Sequence, residues 1–140
     1  MSVRVWDISK GVAFNVLRGH TDKNLSLTMS KDGSIVASGG GDMTIRIWDV
    51  RSGQSIRVLA GHSGQWHSVH LTADGRSVAA PIRNGKIAVW DVGSGRVCSE
   101  LQVQGVPYHM SMTSDGQVVA VVNEEGQLQI WESTQVYSFF

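Results

Sequence analysis

The sequence predicts an all-β chain built as an array of four-stranded antiparallel sheets. The decapeptide "GDMTIRIWDV" at 41–50 returns as "NGKIAVWDV" at 84–92, as "MSVRVWDI" at 1–8 and as "EGQLQIWES" at 125–133. Trp6, Trp48, Trp90 and Trp131 are spaced 42, 42 and 41 residues apart, and Asp32-Gly33, Asp74-Gly75 and Asp115-Gly116 each stand 16 residues before the next Trp, so two markers keep one register. Between them apolar residues alternate with period two, and glycine or Asp-Gly interrupts every ten or so residues, which argues against helices.

Each element follows from this register. In the best copy, 19–60, "LSLTMS" (25–30) alternates apolar and polar side chains as a first strand, and "KDGS" supplies a hairpin turn. "IVASGG" is the second strand, "TIRIWDV" the third and, after "RSGQ", "SIRVLA" the fourth. On the third strand Ile45 and Ile47 point to one face and Thr44, Arg46 and Trp48 to the other, so both faces need cover. Neighbouring sheets stacked on each side supply it, which is why such repeats come in arrays. The chain opens at the third strand of a sheet (2–8) and adds its outer strand near 12–17. The expected units are a half sheet at 1–18 and full ones at 19–60, 61–101 and 102–140, with "QVYSFF" as the last strand.

A period of about 40 to 45 residues ending in Trp-Asp is that of a propeller blade, and over nearly its whole length the chain resembles the WD-repeat family. The resemblance implies an incomplete β-propeller ring, since three and a half blades fall short of the four to eight that close one. A head-to-tail dimer reaches the strand number of a seven-bladed ring, but each chain offers four third and four outer strands against three first and three second ones. A piece of a larger propeller, with missing blades from a longer chain, fits better; self-association is the other outcome of exposed blade faces.

The family pattern also implies a hydrogen-bonded latch in each blade, made by a His, a Ser or Thr on the second strand, a turn Asp and the Trp. The matching residues are His20, Ser38, Asp42 and Trp48. The second copy keeps His62 and Trp90 but has Ala80 and Asn84 in the Ser and Asp registers. The third has Val103, Val121, Glu125 and Trp131, so apolar packing is expected to replace the polar set there. In related propellers partners bind around the top of the channel. The matching positions are Asn24, Trp66 and Pro107 with Tyr108, and Gly41, Arg83 and Glu124; Trp66, Arg83 and Tyr108 are types that anchor interfaces, although half-buried packing would use them as well.

Composition bounds the function. Twelve basic and twelve acidic side chains cancel, which argues against a nucleic-acid or anionic-membrane partner. One cysteine, Cys98, makes no internal disulfide, and no secretory signal is evident, so an intracellular setting in cytoplasm or nucleus is expected. The longest apolar run, "VVAVV" at 118–122, is far too short to span a bilayer as a helix, so a soluble chain without a membrane partner is expected. His62, His67 and His70 fall close together as a metal site would need, but 67 and 70 project to opposite strand faces, and neither Cys98 nor His109 improves the set. Ser38, His20 and Asp42 invite a hydrolase reading that the latch already explains. No catalytic, cofactor or metal residue is expected. The leading reading is a non-enzymatic scaffold that presents loops and top face to a protein or peptide. Its alternatives are a propeller enzyme or small-ligand binder using the channel, with His67 or Glu124 as residues to test, and a structural piece of a larger WD-repeat protein. A short similarity to the WD-repeat subunit of general transcription complexes, from "LRGHTDKN" to "TIRIWDV", places a multiprotein complex in that last alternative.

Overall fold

A computed structural model describes residues 1–61, 68–132 and 136–139, with Asn24, Leu25 and 136–139 described by backbone alone. These residues form fourteen strands and no helix. A two-stranded sheet of β1 (Ser2–Asp7) and β2 (Val12–Arg18) comes first. The second sheet holds β3 (Asn24–Met29), β4 (Ile35–Gly40), β5 (Thr44–Asp49) and β6 (Ser55–Ala60). The third holds β7 (His70–Leu71), β8 (Ser77–Ile82), β9 (Lys86–Asp91) and β10 (Val97–Gln102). The fourth holds β11 (Pro107–Met112), β12 (Val118–Asn123), β13 (Leu128–Glu132) and β14 (Val136–Phe139). All pairings are antiparallel between consecutive strands.

Two kinds of turn fix the register. Between first and second strands, the hydroxyls of Ser30, Thr72 and Thr113 donate to Asp32, Asp74 and Asp115 at 2.7, 2.7 and 2.6 Å and accept the N–H of Ile35, Ser77 and Val118 at 3.0 Å. The glycine after each Asp is left-handed, with φ of 73 to 75°, as a hairpin loop built on a type I turn requires. Between third and fourth strands the Asp of each Trp-Asp pair ties the loop: Asp49 accepts the N–H of Ser52, and Asp91 that of Ser94, both at 2.7 Å. The Asp of the pair therefore holds its own sheet, while the Trp serves the neighbouring one.

The sheets stack face to face. Val3, Val5 and Leu17 of the first sheet pack against Val36, Trp48 and Val50 of the second. Ala37, Ile45, Ile47 and Leu59 on its other face meet Val69, Leu71, Val78, Ala80 and Trp90 of the third. Ala79 and Ile87 in turn meet Met110, Val119, Val121 and Trp131 of the fourth. Each such Val, Leu or Ile buried between sheets contributes about 1.5–3 kcal/mol, so burial between sheets dominates the stability of the stack. Polar bonds join the first strands of successive sheets: the Ser26 hydroxyl accepts the N–H of Val69 at 2.9 Å, the Ser68 hydroxyl accepts that of Met110 at 3.3 Å, and the N–H groups of Lys31 and Ala73 donate to the carbonyls of Ala73 and Ser114. No helix long and apolar enough to cross a membrane occurs among the described residues.

Candidate functional site

The second sheet carries a continuous hydrogen-bonded chain from its third strand through its second to the loop that precedes its first. The Trp48 indole N–H donates to the Ser38 hydroxyl at 2.8 Å, and Ser38 Oγ lies 2.8 Å from His20 Nε2. His20 Nδ1 lies 2.9 Å from Asp42. With a neutral imidazole the directions agree throughout: indole to hydroxyl, hydroxyl to Nε2, Nδ1–H to carboxylate. Asp42 also accepts the Thr44 hydroxyl at 2.7 Å and the Thr21 N–H at 2.9 Å. Burial pushes the Asp42 pKa up, but the Thr44 hydroxyl, the Thr21 N–H and the His20 ring outweigh it and hold the carboxyl well below the usual carboxylate range. Ser38 and Trp48 are fully buried, so the hydroxyl is closed to any substrate and the set acts as a brace.

A small residue makes room for it. A Cβ at Gly40 would overlap the His20 ring and the Asp42 carboxylate. The matching positions are Ile82 in the third sheet and Asn123 in the fourth. With Ala80 and Asn84 as well, the third sheet has neither the hydroxyl nor the carboxylate at those positions; Trp90 is nevertheless buried. His62 lies outside the described residues.

In the fourth sheet the expectation of apolar packing alone is corrected. Val103 and Val121 are indeed buried, but so are Asn123 and Gln129. Asn123 Nδ2 donates to the Gln104 carbonyl at 2.8 Å and to Gln127 Oε1 at 2.9 Å, and Asn123 Oδ1 accepts the N–H of Gln127 at 2.8 Å. Gln129 pairs with the Gln104 backbone in both directions, at 3.0 Å each. Asn123 stands where Gly40 does, and Gln127 and Gln129 stand where Thr44 and Arg46 do. An amide network thus replaces the imidazole–carboxylate one. Nothing in a comparison of latch positions reveals it, because its members sit beside those positions.

The turns before the third strands and the starts of the first strands share one end of the sheets. The N–H of Gly41 donates to the Lys23 carbonyl, and that of Glu124 to the Val106 carbonyl, both at 2.9 Å. At this end Tyr108 is 58 % exposed, Arg83 and Glu124 are exposed and Pro107 is buried. Asn24 opens β3 there; Trp66, like His67, lies outside the described residues. Sequence reading missed Met43. It is 44 % exposed at φ 63°, whereas the matching residues are glycines with φ of 68° (Gly85) and 79° (Gly126). A bulky side chain in this left-handed region costs on the order of 1 kcal/mol. The Arg83 guanidinium of the third sheet donates to Met43 Sδ at 3.1 Å. Arg83 and Met43 thus form one patch spanning two sheets.

The other candidates resolve as follows. Burial lowers the His70 pKa, a hydrogen bond with the Met110 backbone opposes that, and the charge of His109 adds to the lowering. His109 Nδ1 lies 3.1 Å from the Ser68 hydroxyl. No group of three His, Cys, Asp or Glu able to hold a metal occurs among the described residues. Cys98 is exposed and unbridged.

Residues 11–49 match the family model described as WD domain, G-beta repeat. A comparison with curated proteins finds no match. The matched segment contains the complete latch, and the same four-stranded sheet is built three times in the stack. Residues 11–49 are thus a WD repeat, and the stacked four-stranded sheets are consistent with partial propeller blades.

Proposed function

We propose that the chain is a non-catalytic interaction scaffold that binds a protein or peptide through the end of the sheets carrying Met43, Arg83, Tyr108 and Glu124. One observation carries this reading: Met43 occupies a backbone conformation that glycine fills in the other sheets, and its side chain is left exposed instead of buried. A strained and exposed apolar group returns its cost only if it is covered by something else, and strain of this kind clusters at binding sites. An arginine, a tyrosine and a methionine are also types enriched in interfaces.

The test is a peptide-display selection on the immobilised chain, followed by titration of the selected peptides. Met43→Gly and Arg83→Ala should each weaken binding, and Ile56→Ser on the outer strand β6 should leave it unchanged. Selected peptides that bind both loop variants as tightly as the original chain would dismiss this end as the binding site.

A further inference from the structure

One position on the outer strand governs how each junction between sheets closes. Asn15 on β2, Arg57 on β6 and Ser99 on β10 pair with Val5, Ile47 and Val89 on the third strands of their own sheets, so the three are equivalent. Asn15 Nδ2 donates to the Val50 carbonyl of the second sheet at 3.0 Å. Arg57 reaches further. Its Nε donates to the Val92 carbonyl of the third sheet at 3.2 Å, and its guanidinium also donates to the Gly93 carbonyl. Ser99 is exposed, and its hydroxymethyl is too short to cross to the fourth sheet in the same way. Beside it lies a groove of about 210 Å³, lined by Val89 and Leu101 of the third sheet and by Gln117, Val119, Trp131 and Glu132 of the fourth. Val89 and Leu101 are only half-buried, whereas their counterparts Val5, Leu17, Ile47 and Leu59 are buried.

We propose that this groove binds an arginine side chain of a partner polypeptide. The chain supplies its own precedent, because Arg57 fills the matching space one junction earlier. Its stem lies over Gly95, where a Cβ would stand 3.0 Å from the Arg57 Cδ, and its guanidinium donates to the turn that follows Trp90-Asp91. An arginine entering from outside lays its aliphatic stem on Leu101, Val119 and Trp131 and carries its charge to the lip. There Glu132 is exposed and pairs with no cation among the described residues. Positions 133 and 134, which match Val92 and Gly93, lie outside the described residues, so the acceptor assigned is the Glu132 carboxylate. A planar fork of N–H donors engages a carboxylate through two parallel bonds, which the point charge of a lysine cannot do. The size agrees as well: the groove is smaller than the roughly 300–1,000 Å³ of pockets that enclose small molecules, and suits one side chain. It lies where the third strands end, at the opposite end from the turns that carry Met43 and Arg83, so it is a second surface that stands apart from the loop-face reading.

The probe is acetyl-Gly-Arg-Gly-amide, titrated at fixed ionic strength into the isotope-labelled full chain and followed by NMR at the Trp131 indole N–H. A saturable shift is expected. Citrulline in place of the arginine keeps the shape and removes the charge, and should bind at least about fivefold more weakly, as should the arginine peptide on Glu132→Gln. Ser99→Arg sets an arginine where Arg57 stands in the preceding sheet; it should abolish the shift and leave the urea midpoint unchanged or raised. Arg83→Ala should leave the titration as it is. Absence of a saturable shift, equal binding of the citrulline peptide, undiminished binding to Glu132→Gln or Ser99→Arg, or a lowered midpoint for Ser99→Arg overturns the proposal. Loss of binding on Arg83→Ala puts the probe at the loop end and overturns it too. If the loop substitutions leave display peptides bound while the arginine titration behaves as expected, the loop-face reading falls and the groove stands.

Discussion

Replacing Ser38 by alanine tests the latch most directly. The substitution creates no steric problem, since Ala80 occupies the matching buried position of the third sheet. What it removes is one oxygen with two short bonds, to Trp48 Nε1 and His20 Nε2, at 2.8 Å each. A hydrogen bond is worth about 1 kcal/mol net, and a buried donor left without a partner costs about 1–3 kcal/mol. With the indole of Trp48 sealed between two sheets, no water reaches the orphaned N–H, so the loss should total about 2–4 kcal/mol. For a chain of this size that corresponds to a fall in Tm of about 6–12 °C. Urea titration of Ser38→Ala, Trp48→Phe and the double variant supplies the decisive reading. The double variant no longer contains the orphaned donor, so it should cost about 1–2 kcal/mol less than the sum of the singles. A loss under about 0.5 kcal/mol for Ser38→Ala, or an additive cycle, would refute the argument.

Other outcomes follow from the same geometry. The Asp42 carboxyl has a folded pKa below its unfolded value, so its stabilisation is complete above about pH 4 and is lost as pH falls further; Asp42→Asn should flatten that part of an acid titration followed by tryptophan fluorescence. The His70 imidazole has a lowered folded pKa, so the unfolded chain takes up its proton first and stability falls as pH drops below about 6.5; His70→Thr, which copies Thr28 of the second sheet, should remove that slope in urea titrations at pH 5 and 7. Met43→Gly should relieve about 1 kcal/mol of strain against about 0.4–1 kcal/mol of added unfolded-state entropy. It should leave stability unchanged or slightly raised in denaturant titration. Asn123→Ala should cost about 1–3 kcal/mol, because the Gln127 N–H and side chain lose their partner and the Gln104 carbonyl keeps only its bond from Gln129; a neutral result in the same titration would contradict the amide network.

The strands were legible because two independent markers recur in register, and each has a local cause. Asp-Gly makes the first turn through an Asp carboxylate and a left-handed glycine, and Trp-Asp combines a neighbour-facing indole with a turn-tying carboxylate. Those are short-range demands, so a sequence states them directly. The complete latch was legible only through resemblance, since nothing local links residue 20 to residues 38, 42 and 48. The amide network of the fourth sheet was hidden because Asn123, Gln127 and Gln129 read as ordinary polar alternation until the fold places them around the Gln104 backbone. Met43 was hidden for another reason: a methionine in a turn is unremarked until its φ is known and the glycines at 85 and 126 are set beside it.

Position 40 and its counterparts show how the latch and the stack divide the work. Glycine there admits an imidazole, asparagine supplies its own amide and isoleucine is apolar, yet Trp48, Trp90 and Trp131 are all buried against the preceding sheet. The architecture therefore follows from apolar faces that are alike in every sheet, and the polar set is a local solution chosen by the side chain at one position. A buried polar group is costly unless its partners are present, and both the imidazole–carboxylate set of the second sheet and the amides of the fourth supply those partners. Moving a single member, for example placing His at Val103 while Asn123 remains, should then destabilise the chain, whereas the Val103 to Gln129 set functions as found.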